Sequence, residues 1–354
     1  MLAASQRQVI QYIEAYSKKL QKDAKQTINH VLAMSNISTE VFEQAVNNMK
    51  KNARIGIHFH PDRLTHNRIS VAESLYNEGV YKSQFETFIS NGSVSAYKGG
   101  ERDLWETRMF GGAYQYKGIS HKERPKYGAL NIMLYSDGPA PRFGSCYFLL
   151  SPSISYRSTY TYMDSHLELK EKGTYQEFDL ILAALLEDSF SREIVLGESD
   201  IRPPKLISFL ANLYDTQSDL VKRKPSRNLD YYIEAQVHGD VSLEKDVDAL
   251  VADDSFQATE IGTMLAQLCG KYSIRLYWRK GFKLNSKDVP SDFRGAKMPL
   301  LAKRITHCDY INASVIGSAA KDLYFYPENW SDYGTVNEVL QEFKLLWHVL
   351  VRYG

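Results

Sequence analysis

The run Tyr231-Tyr232-Ile233-Glu234-Ala235-Gln236-Val237-His238-Gly239 decides how this chain is read. Apolar and polar side chains alternate with period two, the pattern of a half-buried strand carrying Tyr232, Glu234, Gln236 and His238 on one face. Gly239 and Asp240 then supply turn chemistry, which leaves a carboxylate, an amide and an imidazole near a strand end, where clefts form. Such a set suits a site that holds a polar ligand and stabilises positive charge. Against it stands an edge strand whose polar face is simply solvated.

Working outward, Arg54-Ile55-Gly56-Ile57-His58-Phe59-His60 also alternates, and Pro61, which cannot continue a ladder, stops it. Three strands are predicted over Tyr127 to Tyr135, Ser145 to Leu150 and Ser155 to Tyr162, with Asp137-Gly138-Pro139 and Pro152 between them. Others fall at Val247 to Val251 and Tyr272 to Trp278. Helical spacing marks residues 5 to 53 as two helices, with Ser38 or Thr39 as the second cap. Further helices are expected at 70 to 81, 176 to 190, 205 to 214, Phe256 to Leu268 with Gly270 as C-cap, and Asn337 to Val351. Gln84 to Gly92 is read as extended, closing in a turn, Ser93 to Lys126 as a Gly-punctuated loop of functional type, and 279 to 300 as a basic loop. Closely spaced strands with helices before and after predict an α+β fold with a mixed, mostly antiparallel β core. The divisions expected are a helical region 1–53, a catalytic core 54–275 and a mixed C-terminal segment 276–354.

Composition narrows the function. In 354 residues, 43 basic against 42 acidic side chains leave a net charge of +1, so no broad field draws nucleic acid or an anionic membrane. No apolar run approaches the roughly 20 residues that span a bilayer, and Met1 to Leu20 carries no signal-peptide hydrophobic region. The expected location is the cytoplasm of the producing cell, and leaving that cell would need a route without that signal. Cys146, Cys269 and Cys308 lie in no metal-ligand spacing and are read as buried thiols of a reducing compartment.

His58-x-His60 puts two imidazoles on one strand face, as metal hydrolases require, yet His121, His166, His238 and His307 offer no second pair, so no metal is expected. Arg63 and Arg54 are nearby cations able to hold a phosphate. Tyr156-Arg157-Ser158-Thr159-Tyr160-Thr161 alternates hydroxyls and aromatics, which either face a cleft or express ordinary β-propensity. Gln84-x-Glu86 is a second acid/amide pair beside Glu234-x-Gln236, and either Glu86 or Glu234 could be the essential acid. No GxGxxG or P-loop sequence is present.

An Arg or His ending a first strand, an aromatic-x-Ser-Thr run on a middle strand and a Glu on a late strand together resemble the ADP-ribosyltransferases of bacterial toxins and effectors. The chain also resembles uncharacterised bacterial proteins sharing the His-Phe-His-Pro-Asp-Arg and Glu-Ala-Gln-Val-His-Gly runs, over roughly residues 54 to 260. The first resemblance implies NAD as substrate, seated by His60 and Arg63 with His58 beside them. It also implies a nicotinamide pocket shaped by Ser158 and Thr159, and Glu234 holding the ribose with Gln236 at its side. Tyr127, Phe143 and Tyr160 are stacking candidates, and Arg142 is a further cofactor-binding candidate. A protein would be the acceptor, its modified side chain left open because Tyr232 stands where arginine-modifying members carry a second acid. Two other functions compete: a metal-dependent hydrolase on His58 and His60, and a non-enzymatic partner-binding protein.

Overall fold

The computed structural model describes residues 2–89, 96–214, 217–306 and 308–354. The turn expected at Asn91-Gly92 and the side chain of His307 lie outside the described residues. Eight strands form one sheet: β1 (Arg54–Phe59), β2 (Lys126–Asn131), β3 (Cys146–Leu150), β4 (Ser158–Tyr162), β5 (Lys172–Thr174), β6 (Ile233–Val237), β7 (Val247–Asp253) and β8 (Arg275–Arg279). Their order is β8-β7-β3-β1-β2-β6-β4-β5. Every neighbouring pair is antiparallel except β7 and β8. The chain is therefore α+β with a mixed, mostly antiparallel sheet. The parallel pair needs a crossover, which a helix between the two strands supplies.

The helices that frame the sheet are α1 (Ala4–Met34), α2 (Thr39–Asn52), α3 (Glu101–Met109), α4 (Asp179–Ser191), α5 (Glu260–Lys271) and α6 (Val336–Tyr353). Strand alternation sorts the sheet into two unlike faces. Ile55, Ile57 and Phe59 of β1, Tyr160 and Tyr162 of β4, and Ile233, Ala235 and Val237 of β6 share one face and join the main core with α1, α2 and α4. Burying each such aliphatic side chain is worth roughly 1.5–3 kcal/mol, so this face fixes the register of all the strands. α1 is tied to it through Ser17, whose hydroxyl donates to the Lys172 carbonyl over 2.8 Å, and α2 is capped by Ser38. The same core runs on to Val351, so α6 packs into it as well.

The opposite face is the polar one, and registration assembles it from strands far apart in sequence. Glu234 lies between Ala129 and Thr161, Gln236 between Tyr127 and Thr159, and Gly56 between Ala129 and Leu149. β6 is thus an interior strand, and all five of its residues are buried. The expectations of a half-buried strand, and of an edge strand with a solvated face, both fail because neighbours pair on each side and helices cover the polar face.

Several other expectations are corrected. Gln84–Thr87 is a helical turn, held by a capping box in which Ser83 N–H donates to the Glu86 carboxylate over 2.8 Å. The expected loop from 93 to 126 contains α3. That helix buries Arg102, Asp103, Trp105 and Glu106, so its inward face is charged and leaves no apolar periodicity to read. α5 begins at the Thr259 cap and runs through Gly270 to Lys271. The basic stretch 279–300 holds a two-residue strand, Leu284–Asn285, and the start of the helix Met298–Ile305. β5 and the helix Ala313–Phe325 were not anticipated. Cys146 and Cys269 are buried, but Cys308 is exposed. Among the described residues no helix is long and apolar enough to cross a membrane.

Candidate active site

A cavity of about 490 Å³ opens on the polar face. β1 and the turn after it contribute His58, His60 and Arg63, β2 contributes Tyr127, and β6 contributes Glu234. α3 brings Arg102 and Trp105, the turn Pro141–Phe143 brings Arg142 and Phe143, and α6 brings Lys344. A concave site with aromatic walls and a few converging charged groups is the usual form of a small-molecule site.

α3 is locked down by charge. Arg124, buried, donates to Asp103 and, over 2.8 Å, to Glu106, and the Tyr127 hydroxyl donates to the other Glu106 oxygen over 2.6 Å. Two buried carboxylates thus share one guanidinium, a geometry in which the fork of arginine serves better than lysine. The network sets Arg102 over the Trp105 and Tyr127 rings, 4.4 and 5.0 Å from their centroids, along the cavity wall.

Glu234 is the terminus of a second network. Thr159 donates its hydroxyl proton to Gln236 Oε1 over 2.8 Å, and Gln236 Nε2 donates to Glu234 Oε1 over 2.8 Å. Thr159 Oγ1 also lies 3.0 Å from His238 Nε2, and His238 Nδ1 lies 2.6 Å from the Tyr114 hydroxyl. Because the Thr159 proton is spent on Gln236, His238 must donate from Nε2 and accept at Nδ1 from Tyr114. Every donor in the series Tyr114, His238, Thr159, Gln236 therefore points toward Glu234. The Ser165 backbone N–H closes on the other oxygen at 3.4 Å. Asp164, also on the wall, accepts from the Tyr232 hydroxyl over 2.8 Å. Burial, with the neighbouring Asp164 charge, pushes the Glu234 carboxyl up to about 8, and burial pushes His238 down to about 3.

The structure divides the expected site residues. His58, His60, Arg63, Tyr127, Arg142, Phe143 and Glu234 reach the cavity. Ser158, Thr159 and Gln236 do not line it: Ser158 donates to the Ile154 carbonyl, and the other two are buried in the series behind Glu234. Glu86 is used as the cap of its own turn, and Tyr160 belongs to the core. Arg54, expected near a phosphate, is paired with Asp248 and bonded to the Leu150 carbonyl. His58 is also committed: Nδ1 lies 3.2 Å from the Gly144 carbonyl and Nε2 accepts from Ala140 N–H over 3.2 Å. With both nitrogens occupied its ring cannot ligate a metal, and burial holds it down at about 3. Gly138, at φ +81°, leaves the space this ring fills, since a Cβ there would meet Nε2 at 2.6 Å. Among the described residues no three His, Cys, Asp or Glu side chains converge as a metal site.

Asp164, Tyr114, Trp105, Arg102 and Lys344 were missed from the sequence. Trp105 and Arg102 sit in the stretch read as loop, and Lys344 looks like one more solvated charge on an amphipathic helix.

The matched family description, Protein of unknown function (DUF3626), covers residues 54–353. The chain belongs to this family. No curated protein matches it. The DUF3626 match opens with the first residue of β1 and closes with the last residue of α6, so it takes in every element that lines the cavity.

Proposed function

We propose that the cavity is the catalytic site of an NAD-dependent mono-ADP-ribosyltransferase with a protein as acceptor. The observation that carries this reading is Glu234, a carboxylate fixed on an interior strand by aligned donors, in one cavity with the cations Arg63, Arg142 and Lys344 and the flat faces of Trp105, Tyr127 and Phe143. In the reaction the bond between ribose C1′ and the nicotinamide nitrogen breaks, its electron pair leaving with nicotinamide. Positive charge then develops on the ribose. Ionised Glu234 stabilises that charge without reorganising, and an acceptor side chain bonds to C1′ and gives up its proton. Aromatic faces can stack the nicotinamide and adenine rings.

The high pKa of Glu234 also supports a second reading, hydrolysis of a glycosidic bond with protonated Glu234 as general acid and Asp164 as its partner carboxylate. The two readings differ in sign. If Glu234 works ionised, kcat/KM climbs with pH up to about 8; if it works as an acid, kcat/KM falls through that value. The deciding experiment incubates the protein with labelled NAD and a cell lysate across this pH range, beside Glu234→Gln. Label on protein from wild type alone, rising with pH, supports transfer. Equal labelling by Glu234→Gln sinks it.

A further inference from the structure

We propose that α6 completes the cavity with a phosphate-binding wall, in which Arg63, Arg142 and Lys344 face the ligand and Arg294 and His348 stand close behind. Naming the ligand as the diphosphate of a dinucleotide rests on the reading above; the anion site itself does not.

Three segments far apart in sequence meet here: the turn after β1, the turn Pro141–Phe143, and α6. His60, Arg63, Arg142 and Lys344 all line the cavity on this side. The segments are joined by an edge contact between His60 and Trp347, centroids 5.1 Å apart, and by Trp347 Nε1 donating to the Pro141 carbonyl over 2.9 Å. The wall is therefore built into the packing and does not depend on long exposed side chains finding one another.

His348, Arg142 and Arg294 each keep a buried polar atom under-satisfied. His348 is 2% exposed, and neither ring nitrogen has a hydrogen-bond partner. The Nε atoms of Arg142 and Arg294 are likewise buried without one. Buried donors without acceptors cost free energy, and natural proteins keep few of them. Arg142 does have a partner, Asp230 at 2.9 Å, but that carboxylate is largely exposed and the contact correspondingly weak. Its guanidinium stacks on Phe143, 5.1 Å from the ring centroid, which holds the fork in place.

Mutual repulsion points the same way. Burial comes first in lowering His348, to about 2, and the charges of Arg142, Arg294 and Lys344 and the nearby His60 push in the same direction. Burial likewise lowers Lys344, with Arg142, Arg294 and Arg63 adding to it; Asp164 is the acid that acts against them. Packing like charges into a half-buried wall is unfavourable, and an anion relieves it. Two guanidiniums can bind phosphate oxygens in pairs, and an ammonium supplies a point charge. The diphosphate bridge of a dinucleotide is a dianion and offsets most of the positive charge that these three side chains present.

Calorimetric titration of the full chain tests this, with pyrophosphate, inorganic phosphate, ADP-ribose and adenosine as probes, on wild type, Lys344→Met, Arg294→Gln and Glu234→Gln. Wild type is expected to bind pyrophosphate and ADP-ribose, and adenosine at least tenfold more weakly. Lys344→Met should lose roughly tenfold or more for both phosphorylated ligands. Glu234→Gln should keep pyrophosphate binding. Tighter binding of inorganic phosphate than of ADP-ribose supports the wall with a free anion as occupant. Wild-type affinity for pyrophosphate in both Lys344→Met and Arg294→Gln, or no binding by wild type, overturns the wall. Pyrophosphate binding without NAD cleavage keeps the wall and overturns the transferase, whereas NAD cleavage with unchanged KM in Lys344→Met does the reverse.

Discussion

One imidazole stands near the end of β1 and another just past the end of β6, and the two are used in opposite ways. In β1 the imidazole of His58 reaches the cavity but has both nitrogens engaged by backbone groups, and the next charged group on the cavity wall lies beyond the strand's end at Arg63. Just past the end of β6 the imidazole of His238 is sealed off, and the group of β6 that faces the cavity is Glu234, with His238 joined to it through Thr159 and Gln236. The lesson is that residue type does not distinguish a group that faces the cavity from one that holds it in place. What distinguishes them is which end of each hydrogen-bond series opens on the cavity.

The largest test of that contrast exchanges the two roles. Glu234→Gln should lower transfer by about 10²–10³-fold with an unchanged melting temperature or a higher one, since a buried, poorly ionised carboxyl is replaced by a neutral amide. His58→Ala should do the opposite, destabilising the fold by roughly 3 kcal/mol through a cavity and two unpaired backbone groups. Denaturant unfolding beside a turnover assay separates them, and a stable but inactive His58→Ala would break the contrast. A smaller effect is expected one step back along the series. Thr159→Val should reduce kcat by roughly 10- to 100-fold at unchanged KM, through loss of the orientation that Gln236 gives Glu234. The pH limb assigned to Glu234 should move upward, because a donor chain that stabilises the ionised form is lost, and Thr159→Ser should restore both. A change in stability alone, with the pH limb unmoved, would reduce Thr159 to a packing role.

The mildest test is the pH dependence of stability. His58, His60 and His238 are held near 3 and His348 near 2 in the fold, so the unfolded chain takes up protons first as pH drops below about 6.5. Stability is then lost steadily toward acid. Glu234, at about 8, and Asp62, raised by burial to about 7, behave conversely: the fold keeps protons that the unfolded chain has released, so stability falls as pH rises from about 4.5 toward 8. The buried imidazoles and the raised carboxyls, Glu106, Asp137 and Asp253 among them, act in opposite directions, so the melting temperature should pass through a maximum between the acid and the alkaline decline. The alkaline decline should be shallower in Glu234→Gln. A plateau from pH 4 to 9 would show that these groups are not buried as described.

Legibility followed periodicity. The two alternating strands, the capped helices at the N-terminus and the amphipathic α6 could be read because each has one apolar face and one polar face, and burial acts on that asymmetry. α3 could not be read, because its buried face sets Arg102, Asp103 and Glu106 among Trp105 and Met109 and pairs these charges with Arg124 and Tyr127, which the local sequence does not reveal. The same holds for β6, whose polar face was legible as a face but not as a buried one. Local pattern determined on its own that this is an α+β chain, that Glu234 shares a strand face with Gln236 and His238, and that Arg63 follows a strand end. Only the tertiary structure decided that Glu234 opens on a cavity while Thr159, Gln236 and His238 stand behind it, and that Lys344 and His348 from the other end of the chain join Arg63. Strand pairing and helix docking are contacts between distant segments, and the free energy that selects them lies in the packed interfaces and shared buried charges that no single stretch of sequence contains.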